Sequence, residues 1–114
     1  MYLLKDRSKR IVAYLHNHLI LLPESFEVIG VIIGKAVFGI NGGLKGKFLH
    51  NTIYATSGEK IGEGSIASQT PGFDHHSLVR KTWEVLTHIK DHRCPEIVPQ
   101  NRWAGMSLTD LLKQ

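Results

Sequence analysis

One spacing constrains this chain more than any other feature. Small residues stand at Ala13, Gly30, Gly46 and Gly62, 17, 16 and 16 positions apart. Each lies in the second of two short apolar runs joined by a polar turn. The runs are Leu3-Leu4 with Ile11–Leu15, Ile20-Leu21 with Val28–Ile32, Ala36–Phe38 with Leu44–Phe48, and Thr52–Tyr54 with Lys60–Gly64. Short runs rich in Ile, Val, Phe and Tyr, bounded by turn residues, read as β-strands. Asn41-Gly42 and Ser57-Gly58 supply the positive φ that tight hairpin turns need. A fixed period of this length marks a repeat architecture. Residues 2–64 are therefore expected to form four consecutive β-hairpins.

Residues two apart share a face of a strand. The faces carrying the small residue read Ile11-Ala13-Leu15, Val28-Gly30-Ile32, Leu44-Gly46-Phe48 and Lys60-Gly62-Gly64. The first three are large–small–large. A small residue in mid-strand lets another backbone approach closely. Its recurrence predicts that the second strands converge about a pseudo-fourfold axis, with Leu4, Leu21, Val37 and Ile53 of the first strands completing the core. The last unit departs from this, with Lys60 and Gly64 in place of large apolar groups. Terminal repeats often cap an array. The alternatives are a solvated edge, or a gap filled by the tail or by a second subunit.

The segments Leu3-Leu4-Lys5-Asp6…Val12-Ala13-Tyr14-Leu15, Val37–Gly42…Leu44–Phe48 and Ile53-Tyr54…Gly58–Gly62 resemble the four-fold beta flower domain, a small bacterial module. The resemblance covers about residues 2–64 and implies a fold without an established activity, so it brings no functional residues. The unit with Pro23-Glu24-Ser25-Phe26 in its turn departs from the family pattern, having no Asp or Gly there. The φ-Gly-x-φ strands are also similar, more weakly, to PRC-barrel-type domains, which implies protein partners or RNA-processing machinery.

Beyond the hairpins the chain changes character. Residues 65–76, with Pro71-Gly72, read as a linker. In residues 77–92, Leu78, Val79, Thr82, Trp83, Val85, Leu86 and Ile89 fall in one helical arc of roughly 160°. Ser77 is the expected N-cap and Pro95 the stop. A strand competes, because Lys81–Val85 also alternates. Residues 94–106 are expected to be extended. Ser107-Leu108-Thr109-Asp110 is a capping box opening a short helix, Leu108–Lys113. Such a helix is too short to stand alone, so it docks on the hairpins or on another chain, with Trp103 and Met106 as anchors. The fold class is thus mainly β: four hairpin repeats in residues 1–66, then a linker and helical tail in 67–114 with one amphipathic and one short terminal helix.

Charge narrows the function classes. The chain has 14 Lys and Arg against 10 Asp and Glu. The cations are scattered and Asp6 interrupts the one cluster, Lys5–Arg10, which disfavours nucleic acid as partner. The longest apolar run, Val28–Gly34, is too short to span a bilayer. The single Cys94 fits a reducing compartment, and the start of the chain lacks a secretory signal, so a soluble cytoplasmic protein is expected; that it is bacterial is what the beta-flower resemblance implies. Seven histidines invite a metal reading. His88 and His92 lie one helical turn apart, with Cys94 as a third ligand. No His-Glu-x-x-His or Cys-x-x-Cys accompanies them. No cofactor motif is present: Gly39–Gly46 precedes a hairpin and not a helix, so it is no P-loop. The expectation is a non-catalytic binding or assembly module with a protein partner or self-association. Its partner surface is placed at Lys60, Gly64, Trp103, Met106, Leu108, Leu111 and Leu112. The alternative is a metal-binding protein, possibly a hydrolase, using His88, His92 and Cys94.

Overall fold

A computed structural model describes residues 2–66, 75–89 and 96–114, with side chains between 75 and 81 described only for Arg80. Eight strands form a closed antiparallel barrel in chain order: β1 (Tyr2–Lys5), β2 (Ile11–His16), β3 (Leu19–Leu21), β4 (Val28–Ile33), β5 (Ala36–Gly39), β6 (Leu44–Leu49), β7 (Thr52–Ala55) and β8 (Lys60–Ile66). β8 pairs with β1 through Tyr2–Ile66 and Leu4–Gly64, so the closed wall has no edge to protect. Two helices follow, α1 (His75–His88) and α2 (Leu108–Lys113).

The hairpins repeat in register as well as in sequence. Leu4 faces Ala13, Ile20 faces Gly30, Val37 faces Gly46 and Ile53 faces Gly62. Ladder partners share a face, so this belt alternates large and small around the interior, which suits the narrow lumen of an eight-stranded barrel. The four large members are fully buried. Two of the small ones are compulsory. A Cβ at Gly30 would come within 2.7 Å of the Phe38 carbonyl oxygen, and one at Gly46 would strike that of Tyr54.

A β-bulge precedes each small residue. The register jumps from Leu4–Ala13 to Lys5–Ile11, from Ile20–Gly30 to Leu21–Val28, from Val37–Gly46 to Phe38–Leu44, and from Ile53–Gly62 to Tyr54–Lys60. The bulged residues are Val12, Ile29, Lys45 and Ile61. Bulges re-aim side chains and increase twist, and this corrects the simple alternation. Ile29 and Ile61 belong to the interior core and Val12 packs on it, whereas Val28 and Leu44 belong to an outer cluster and Ile11 is exposed. Unit two is also shifted by one: Ile20 is the interior residue, and Leu21 faces outward.

α1 lies on the outer wall. Val85 and Ile89 pack with Leu21, Val28, Val31, Ala36 and Phe38, so β4 and β5 are covered on both sides. The segment is a helix and not a strand, but it begins at His75, leaving Ser77 inside it, and ends at His88. Trp83, expected on the packed arc, is 65% exposed, because only the stripe of Val85 and its neighbours meets the wall. The expected stop at Pro95 lies outside the described residues.

Candidate functional site: the open mouth of the barrel

The two ends of the barrel differ because their connections differ. At one end the strands join through the longer segments 6–10, 22–27, 40–43 and 56–59; at the other through the pairs 17–18, 34–35 and 50–51. The tail closes the first end. Leu108 and Leu112 of α2 are buried among the interior residues, with Leu111 packed on them. The Leu112 carbonyl accepts from the Ile40 N–H at 2.9 Å, and the Gln114 carbonyl from Asn41 Nδ2 at 3.2 Å. Ser107 caps α2, its Oγ accepting from the Asp110 N–H at 3.1 Å. Before α2 the chain runs along β8: Lys60 N–H donates to the Arg102 carbonyl and Ala104 N–H to the Lys60 carbonyl, both at 2.8 Å, and Lys60 bridges to Trp103.

These contacts redistribute the residues expected to face a partner. Leu108, Leu111 and Leu112 enter this chain's own barrel. The Lys60 backbone and Trp103 are joined to each other, and the Lys60 ammonium lies 3.3 Å from Glu63. Met106 is at the surface, 41% exposed. Gly64 stands at the opposite end of β8 from Lys60. His88 is exposed at the end of α1, its backbone against Gly42. His92 and Cys94 lie outside the described residues, and among the described residues no three His, Cys, Asp or Glu side chains gather as a metal site would need.

The end with tight turns is open. Leu15, Ile32 and Phe48 occupy equivalent places one ladder step beyond the small residues, and Gly64 holds the fourth. A hollow of about 480 Å³ lies here, lined by Tyr2, Leu15, Ile32 and Phe48 on its apolar side and by His16, Asn17, His18 and Gly34 at its rim. The turns are tight and hydrogen-bonded. Asn17 and His18 both have positive φ (49° and 68°), as do His50 and Asn51 (51° and 61°), the pattern of type I′ hairpins. Backbone bonds from Ile32 N–H to His18 carbonyl (2.8 Å), Phe48 to Lys35 (2.8 Å) and Gly64 to Asn51 (2.6 Å) tie each turn to the next hairpin. Asn17 Nδ2 and His16 Nε2 are 3.3 Å apart, so the rim is held from within. A second depression of about 300 Å³ lies outside the same turns, between Val31, Ile33 and Leu19 of the wall and Thr82 and Leu86 of α1.

Chemically, this mouth offers an apolar floor with a few polar groups at its lip, the usual make-up of a small-ligand pocket. It does not gather a nucleophile, a base and an orienting group. Metal-ligand spacing along the chain does not pick out His16, His18 and His50, which only the topology brings to one end. No helix among the described residues is long and apolar enough to cross a membrane. Comparison of the chain with protein-family models, with curated proteins and with solved structures gives no match.

Proposed function

We propose that the protein is a non-catalytic binding module that takes an apolar group into the open mouth of its barrel. The observation that carries this is the asymmetry between the ends: α2 fills one with Leu108 and Leu112, while Leu15, Ile32 and Phe48 line a hollow of about 480 Å³ at the other. That volume falls within the roughly 300–1,000 Å³ of small-ligand pockets. The reading includes a beta-flower-type module of a bacterial cytoplasmic protein, supported by the four in-phase hairpins and the lone Cys94. Self-association belongs to it as well, supported by Ile66, 80% exposed at the end of β8 beside the mouth. The test is a titration of the full chain with 1-octanol, followed by amide chemical shifts. Saturable shifts at Leu15, Ile32 and Phe48, with Leu111 and Leu112 unmoved, are expected. No saturable shift at the mouth refutes the reading.

A further inference from the structure

We infer that the ligand of the mouth is a single-chain amphipathic anion, its tail among Leu15, Ile32, Phe48 and Tyr2 and its acidic head at the turns. This rests on the binding reading above and adds the charge of the occupant. The argument is the segregation of charge along the barrel axis. The three tight turns and the strand ends that meet them carry His16, His18, Lys35 and His50 and no carboxylate. The barrel's acids lie elsewhere: Asp6, Glu24, Glu27 and Glu59 are in the connections of the plugged end. Glu63 is the exception in height. It alternates with Gly62 and Gly64, so it points outward from the wall, and it sits 3.3 Å from Lys60. Lys47, between Gly46 and Phe48, also points outward.

The head-group chemistry follows. His18, Lys35 and His50 are exposed and His16 is half-buried at the lip. An imidazole offers an N–H donor when neutral and a positive charge when protonated, and an ammonium offers charge and donors together. An anion seated there meets the imidazoles of His16 and His18 at the rim, with Lys35 and His50 on the adjoining turns of the same end, while its chain displaces water from the apolar floor. A cationic head meets like charge, and a neutral head forgoes the electrostatic part. The plug of α2 leucines makes the hollow blind, which suits one chain of limited length more than a lipid surface.

The experiment compares three eight-carbon probes on the full-length protein by amide shifts: 1-octanesulfonate, 1-octanol and octylammonium. Octanesulfonate is expected to bind at Leu15, Ile32 and Phe48 about threefold or more tighter than octanol, the scale of a few exposed charge contacts. Octylammonium is expected to bind most weakly. The preference should shrink in 1 M salt, where screening reaches about 3 Å. It should also shrink in the H18N/K35N variant, since Asn tolerates the positive φ of the His18 site. Equal binding of octanol and octanesulfonate, or a preference for octylammonium, overturns the anionic class and leaves the binding reading standing. Absence of all three from the mouth overturns both. Sedimentation with phosphatidylglycerol vesicles without a response to octanesulfonate overturns the enclosed single chain.

Discussion

The plug gives the sharpest stability prediction. Leu112 is fully buried and its Cδ1 lies 3.4 Å from where a Cβ on Gly30 would be, so it sits against the interior face of β4. Leu112→Ala removes its isopropyl end without harming helix propensity, since Ala is the best helix former. Buried Leu→Ala changes cost about 2–5 kcal/mol, more where the site cannot collapse. Here the wall is hydrogen-bonded all the way round, so collapse is restricted and the upper part of that range, about 3–5 kcal/mol, applies. At about 4 °C per kcal/mol for a chain of this size, the melting temperature falls by about 12–20 °C. In urea the midpoint falls by roughly 1–3 M with the slope unchanged. Far-UV circular dichroism of the parent, Leu112→Ala and the exposed-site control Lys113→Ala measures this. Leu112→Ala and Lys113→Ala melting within about 0.5 kcal/mol of each other would refute the assignment of α2 as a structural plug.

Three further outcomes follow from the same geometry. Gly46→Ala forces a Cβ onto the Tyr54 carbonyl and is expected to destabilise by about 1–3 kcal/mol or more; Gly62→Ala meets nothing nearer than Leu108 Cδ2 at 3.6 Å and is expected to be neutral or to stabilise slightly, both read by urea denaturation. Ser107→Ala removes the acceptor for the Asp110 N–H and is expected to cost about 1 kcal/mol, seen as an earlier urea midpoint.

The hairpins were legible because each needs only local signals: two apolar runs, a turn and a small residue. α2 was legible to the residue, because Ser107 and Asp110 mark its start chemically. The bulges were not, since a bulge is a fact of pairing with another strand. Their trace is visible in hindsight: Val12-Ala13, Ile29-Gly30 and Ile61-Gly62 put apolar and small residues side by side, where strict alternation would put a polar one. The choice of Ile20 over Leu21 turned on register, which the segment 22–27 sets and composition does not. The unbroken run Val28–Ile33 was the sign of a strand covered on both faces, as β4 is. On α1 the arc was too wide to say which stripe would meet the wall, and Trp83 went the wrong way. The mouth was hidden because its four corners come from residues up to about fifty positions apart, joined only when the barrel closes.

Loop length explains why the tail chose one end and left the other. The longer connections, and the start of β8 beside one of them, carry backbone groups that the ladders do not use: Ile40 N–H, Gly58 carbonyl and the Lys60 N–H and carbonyl all bond to residues 100–112. Two-residue turns leave little to offer. The carbonyls of His18, Lys35 and Asn51 are already taken by Ile32, Phe48 and Gly64. A docking segment must satisfy its own polar groups as it buries apolar ones, so α2 settles where partners exist. An occupant of the mouth has no such ladder to join there. It must bring few backbone-like groups, bury chiefly carbon, and find its polar contacts in side chains.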